Sequence, residues 1–492
     1  MRPRLVTSVL WPGLIRLAIK FRRAYAGLPT KRDQRRICRA LPVVAAIMSS
    51  AFLLMGCSGT PTTKEVRARY DLAAIERVYR PSGEHADLPP LSEASSLREF
   101  LLYAILNQPQ VEAAYFDWSA SVERITVERS LPDPRLTFQT DIAGMVMSLV
   151  PGLMTDLPGP GKLAAAADVA TAESSSKYYA FEWQVMRAAF ALKKAYYDLD
   201  LLAAKTRVIR DTLELLNDIE TQARAQNDVG RGSLQDVLRT QIEQQRLATE
   251  LANLEDSHNL VLTQFKAALG LREEDSRAPV PHTIEYAVFT ANPEQLITTA
   301  LTRNPRLNAM QAEIQRADAS LRLAFKSRVP DFNLGIEADV KAAPILAMPQ
   351  LGVTLPIWRD KIAALIARAQ ADKHAVEARL SAEQIRLAVE FAEQSFMFRE
   401  ASRTLGLLTE QLLPKATQSL QIAQLGYVSS KVEFIDLLDA ERTLLEFNLA
   451  EVEARVQREL TLARLSLLII GTPPADAPVL PGREQMGDEA QW

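Results

Sequence analysis

Through most of the chain, apolar residues recur every three or four positions. Between residues 161 and 278 there is no proline, and glycine occurs only at 161, 230, 232 and 270. Phe181, Val185, Ala189, Leu192, Tyr196 and Leu199 mark one stripe of that period. The spacing predicts one helix over 160–227. At about 1.5 Å per residue it runs roughly 100 Å, wider than a globular domain, so it must project or lie in a coiled bundle. A return helix is predicted over 233–270, opened by Ser233 with Asp236 three residues on, a capping-box pattern. The same grammar predicts helices over 95–130, 294–328, 360–426 and 431–470, with Ser430 and Glu433 repeating the cap. The breaks at Val229–Gly232 and Val428–Ser430 then read as tight turns, making each long pair an antiparallel hairpin.

Two segments, 131–158 and 329–357, change period. Phe332, Leu334, Ile336, Ala338 and Val340 alternate with Asn333, Gly335, Glu337 and Asp339. Leu351, Val353, Leu355 and Ile357 alternate with Gly352, Thr354 and Pro356, and Leu136, Phe138 and Ile142 with Thr137, Gln139 and Asp141. The partner strand near 149–157 has a weaker pattern. Runs of about 9 residues with one apolar and one polar face fit tilted membrane strands, lipid outside and water inside. A half-buried soluble hairpin fits the alternation equally. Four strands cannot close around a pore, and open edges are not tolerated in lipid, so membrane strands here require several copies in one barrel.

The chain is written twice. Asn107-Gln108-Pro109-Gln110 returns as Arg303-Asn304-Pro305-Arg306, an offset of 196. Pro132-Asp133 returns as Pro330-Asp331 and Leu157-Pro158 as Leu355-Pro356, both at 198. Asp236-Val237-Leu238 returns as Asp436-Leu437-Leu438 at 200, and Leu269-Gly270 as Ile470-Gly471 at 201. Five landmarks in order at nearly one offset indicate internal duplication.

Charge and cysteine change the picture at the N-terminus. Lys31, Arg32, Arg35, Arg36 and Arg39 precede an apolar stretch from Leu41 to Met55, which is short for a membrane helix and has the layout of a secretion signal. It ends in Leu54-Met55-Gly56-Cys57, similar to a bacterial lipobox, and Cys57 is the candidate lipidation site. Acyl chains there would contribute roughly 0.8 kcal/mol per buried methylene. Cys38 would leave with the signal, so a mature chain has no disulfide or Cys-ligated metal. Residues 1–56 carry a net +10 against −3 for the whole, leaving about −13 on the remainder. That balance disfavours nucleic acid as a partner.

Leu412-Leu413-Pro414-Lys415-Ala416, then Leu425-Gly426-Tyr427, then Asp436-Leu437-Leu438-Asp439-Ala440-Glu441, resembles the second-repeat signature of the TolC-like outer-membrane efflux family. Asp236-Val237-Leu238-Arg239-Thr240-Gln241 is similar to its first-repeat counterpart, and the likeness covers roughly 95–471. The resemblance implies a mainly α fold with membrane β: a homotrimer whose chains give four strands each to a twelve-stranded outer-membrane β-barrel, above a periplasmic α-barrel of long helical hairpins. It implies a passive lipoprotein duct, lipid-anchored in the outer membrane, served by a periplasmic adaptor and an RND-type inner-membrane pump, with no cofactor. The expected organisation is a signal with extension over 1–56, an equatorial segment 57–94, repeats over 95–271 and 294–471 about a linker 272–293, and a tail 472–492.

The resemblance also assigns site residues. Asp436 and Asp439, three apart on one helix face, match acidic residues that ring the periplasmic constriction and favour cations; an exposed helix start favours Asp anyway. Tyr427 takes the place of a gate tyrosine, where helix packing is the plainer role; Val432 stands where the family has a gate arginine. The turns Val229, Gly230, Arg231, Gly232 and Val428, Ser429, Ser430 resemble adaptor-contact loops. His85, His258, His282 and His374 are scattered without metal-ligand spacing, and no phosphate loop or nucleophile elbow appears, so no enzyme is indicated. Leu157-Pro158-Gly159-Pro160-Gly161-Lys162 and Leu355-Pro356-Ile357-Trp358-Arg359-Asp360-Lys361 are similar to segments of the heavy-metal branch. Met145, Met147 and Met154 could offer thioethers, although ordinary apolar roles explain them too. Cargo stays open between metal ions and drugs. The rival readings are a type I protein-secretion outlet, a periplasmic coiled-coil adaptor and a non-transporting helical lipoprotein.

Overall fold

Proline sets the joints of the shorter helices. In the computed structural model, which describes residues 61–142, 146–272, 274, 279–281, 284–286, 293–339 and 346–472, the chain opens with α1 (Thr63–Tyr79), α2 (Leu97–Asn107) and α3 (Pro109–Arg129). The expected helix over 95–130 is therefore two. Pro109 cannot donate to the preceding turn and holds Gln108 in extended backbone (φ −73°, ψ 117°). Strands β1 (Arg135–Ile142) and β2 (Val146–Leu157) follow, then α4 (Lys162–Asp228) and α5 (Leu234–Ala268). The second repeat copies this order in α6 (Pro293–Arg303), α7 (Pro305–Lys326), β3 (Asp331–Asp339), β4 (Leu346–Thr354), α8 (Arg359–Leu407), α9 (Leu413–Val428) and α10 (Phe434–Ala463). Residues from 61 to 129 and from 134 on build one unit, and 130–133 are irregular. Residues 1–60 with Cys57 among them, Met145, His282, most of the 272–293 linker and the 473–492 tail lie outside the described residues.

The four strands form one antiparallel sheet in the order β1-β2-β3-β4. The β2 strand, weakest in pattern, is the longest at 12 residues. Its alternation is broken by Pro151 and Gly152, but it lies between β1 and β3 and is set by pairing on both sides. Pro151 stands opposite Phe138 on the β1 side, and the ladder to β3 begins one residue later, at Gly152. The missing N–H therefore falls where no β3 partner waits. Gly152 is small for a reason: a Cβ there would lie 2.5 Å from Glu337 Cγ, because the Glu337 side chain crosses the sheet at that point.

Register gathers Leu136, Phe138, Leu153, Phe332, Leu334, Ile336, Leu351 and Val353 on one face, all exposed. Thr137, Gln139, Asn333, Glu337 and Gln350 take the other. At the foot of the sheet Leu355, Ile357 and Trp358 are also exposed. Among the described residues no helix is long and apolar enough to cross a membrane, which says nothing about strands.

Beneath the sheet the helices pack in pairs. Lys162 Nζ and the Gly159 amide both donate to Asp331 Oδ1 at 2.7 Å, tying the start of α4 to the start of β3. The α1 helix lays Ile75 and Tyr79 against Tyr115, Trp118 and Phe181. Phe100 of α2 meets Tyr196 and Phe265. Further along, α5, α4, α10 and α9 lie side by side around Ile209, Leu216, Ile219, Leu247, Leu420 and Leu437.

The long rod of the second repeat is not one helix. A π-helical stretch, Leu408–Leu412, separates α8 from α9. Pro414 follows it, and a proline ring lacks an N–H and collides with the carbonyl one turn back, so the helix widens just upstream. A second π stretch, Arg464–Ile470, ends the return helix.

Candidate functional site: the helical tip and its joint

Both tip turns close by the same hydrogen bonds. After α4, the amides of Arg231 and Gly232 donate to Gln226 O at 2.9 Å; after α9, those of Lys431 and Val432 donate to Gly426 O at 2.8 and 3.3 Å. Each turn needs one residue with positive φ, Gly230 at 70° and Ser430 at 54°. Gln226 Nε2 donates to Val428 O at 3.3 Å and joins the turns. The cap at Ser233 has the expected box with Asp236. The expected cap at Ser430 does not form: Ser430 occupies the left-handed turn position, and the N-cap of α10 is Glu433, three residues later, with no side-chain cap bond. Gly230 and Ser430 are equivalent by the 200-residue offset, so the motif falls out of register in the second repeat.

Asp436 and Asp439 are both exposed on the first turns of α10. Tyr427 is turned inward instead. It is 7% exposed, packs edge-on against Phe434 at 5.4 Å, and its hydroxyl has no hydrogen-bond partner within the chain. Burial, and then Asp236, push its phenol up. Val432 fills the space above Gly426, where an added Cβ would lie 2.3 Å from Val432 Cγ2. Tyr427 and Val432 are thus packing residues within one chain, while the two aspartates face outward. Met154 shares the polar face of the sheet with Glu337. His374 pairs with Glu377 at 3.1 Å, and among the described residues no group of three His, Cys, Asp or Glu could hold a metal.

A cluster that motif reading missed lies just beyond the aspartates, where α10 crosses α5. Glu243 (2% exposed) accepts from Arg442 at 2.8 Å and from Arg246. Burial pushes its carboxyl up, but hydrogen bonds from the two guanidinium groups outweigh that and hold it below the ordinary range. Glu441 (1% exposed) has neither oxygen hydrogen-bonded. Burial, then the neighbouring Glu243, push it up to about 7 against the opposing pull of Arg442 and Arg246. The sequence did carry a signal: Leu437, Glu441 and Leu445 are four apart, so a carboxylate interrupts an apolar stripe.

The flanks of the tip are apolar. Leu234, Leu238 and Ile242 are exposed along one face of α5, and Ile422 and Leu425 on α9.

Residues 296–470 match the model of the outer membrane efflux protein family. Over that span, 175 of the 492 residues, the chain is similar to the family. Over 155 residues it is 28% identical to the cobalt-zinc-cadmium resistance protein CzcC of Cupriavidus metallidurans, covering 31% of this chain and 37% of that protein. The match thus spans little more than a third of the curated relative. Among solved structures, the outer membrane protein VceC of Vibrio cholerae superposes with a TM-score of 0.64 at 17% identity, covering 76% of this chain and 96% of that one. The open state of the Neisseria gonorrhoeae MtrE outer membrane channel gives 0.64 at 15% identity, covering 79% and 94%. The chain therefore has the fold of these outer-membrane channels.

Proposed function

We propose that the protein is the exit duct of a tripartite efflux system, anchored through Cys57 and assembled as a trimer in the outer membrane. The observation that carries this reading is the sheet. One face is covered by exposed leucine, isoleucine and phenylalanine, the other is polar, and β1 and β4 each leave an edge unpaired. Unpaired backbone cannot remain in lipid, so neighbouring copies pair β4 with β1 and close a barrel. The stripes on α5 and α9 support the same contact below the membrane: they lie on opposite flanks of one chain and meet when copies form a ring.

In that ring Asp436 and Asp439 of three copies form an acidic constriction, and the turns at 229–232 and 428–430 meet a periplasmic adaptor that links the duct to an inner-membrane pump. The cargo is divalent metal cations, a reading supported by the likeness to a protein named for cobalt, zinc and cadmium resistance. Reconstitution of the purified protein in planar bilayers tests the duct: discrete conductance steps are expected, and a silent bilayer with correctly folded protein removes it. Cargo is tested by deleting the gene and measuring tolerance to zinc, cobalt and cadmium against tolerance to drugs. Loss confined to drugs overturns the metal assignment.

A further inference from the structure

Both oxygens of Glu441 are inside the molecule and unpaired, while the two nearest guanidinium groups are committed to Glu243. We propose that Glu441 is a proton-operated latch between the two hairpins: carrying its proton it lets α10 seat against α5, and losing it places two carboxylates in one dry space and parts the helices. The latch refines the duct reading by giving the tip a built-in control.

The geometry is specific to this spot. The α5 and α10 helices share an apolar core, and across it Arg442 of α10 pairs with Glu243 of α5, which Arg246 also holds. The charges acting on Glu441 are Glu243 and Arg246 from α5 and Arg442 from its own helix. The α4 and α9 helices meet α10 at this level through apolar residues, Leu216, Ile219, Leu420 and Ala423. Water cannot reach the carboxyl in the seated state, and assembly with other copies cannot expose it further. The first repeat has Gln241 at the equivalent position, a side chain that cannot ionise. Glu441 lies seven residues beyond Phe434, the first residue of α10, roughly 10 Å along the helix and close enough for a parting there to splay the tip.

The direction follows from linkage. A carboxyl whose proton is held more tightly in the seated form favours seating at low pH. The ratio of seated to parted forms then falls about tenfold per pH unit between the ordinary carboxylate range and about 7, and levels off above it.

Hydrogen–deuterium exchange on the full chain in detergent reads this without any channel assay. Peptides over 234–247 and 434–445 are compared at pH 5.5 and 8 after correction for the intrinsic chemical rate. In the wild type, protection should fall at least tenfold at the higher pH; in Glu441→Gln it should be the same at both. Glu243→Gln, which removes the like charge, should move the wild-type midpoint to lower pH. Equal protection of the wild type at both pH values overturns the latch, and so does a fall that persists in Glu441→Gln. If Glu441→Gln does not fold, the wild-type profile and the shift in Glu243→Gln decide. A silent bilayer would remove the duct and leave this result standing.

Discussion

At the inner corner of the first repeat Asn107 Nδ2 donates to Leu269 O at 2.9 Å, and Gly270, at φ 75°, lies against the Asn107 backbone. At the same corner of the second, Asn304 donates to Leu468 O and Ile469 O at 3.0 and 2.8 Å, and Gly471, at φ 73°, lies against Asn304 and Pro305. The far ends of the repeats diverge. Gly230 becomes Ser430, the Ser233 cap becomes Glu433, Gln241 becomes Glu441, and the unbroken α4 becomes α8 and α9 around a π stretch. The corner is held by close backbone approach, which admits one solution. The tip turns share their backbone hydrogen bonds but differ in the side chains around them, and the features that give the second repeat its own chemistry collect there.

Breaking the corner should have the largest effect. Gly270→Ala places a Cβ 2.6 Å from Asn107 O on a backbone with positive φ, and it should cost on the order of 3 kcal/mol in denaturant unfolding of the detergent-solubilised protein. The asparagines should separate the repeats more finely. Asn304 is fully buried, with two carbonyl bonds and a cap bond to the Arg306 amide at 2.8 Å, so Asn304→Ala should cost about 2–3 kcal/mol. Asn107→Ala, at a half-buried site with one such bond, should cost about 1 kcal/mol. Equal losses would mean that the two corners are not ranked by burial.

At the tip the effects are smaller and one has the opposite sign. Ser430→Gly relieves a left-handed serine and should stabilise by up to about 1 kcal/mol, seen as a higher midpoint in thermal unfolding. Gly230→Ser should lose a similar amount. Asp436→Ala with Asp439→Ala should leave stability within about 0.5 kcal/mol, since both are exposed. The double variant should reduce cation over anion permeability in planar bilayers; unchanged selectivity would take both residues out of the constriction.

Much of the helical layout was legible because it follows from local rules. A proline-free stretch with a 3.6-residue period can only be a long helix, and the ends of α4 and α5 fall within two residues of the expected ones. The breaks at Pro109 and Pro305, within the same landmarks that revealed the duplication, divide helices that were expected whole over 95–130 and 294–328. Less local features were harder. The length of β2 depends on its two neighbours, not on its own alternation. The second cap was misread because Ser-x-x-Glu occurs there by sequence while the turn geometry claims Ser430. At the tip, Asp436, Asp439 and Tyr427 were found through a motif, but Glu441, the most buried carboxylate among them, was not. Its environment is made by Glu243, nearly 200 residues away, and only the crossing of two helices brings them together.

In the duct proposed above, the two free edges of the sheet would also govern how the protein is made. A single subunit of such a duct would have no stable place in lipid by itself, because half of each outer strand's backbone would be stranded there. Membrane entry and association must then be a single event, and a defective β4 cannot be rescued by healthy companions. Co-produced with normal chains, such a subunit would poison every ring it joined, so a strain carrying one good and one damaged gene copy should behave nearly as if it had none.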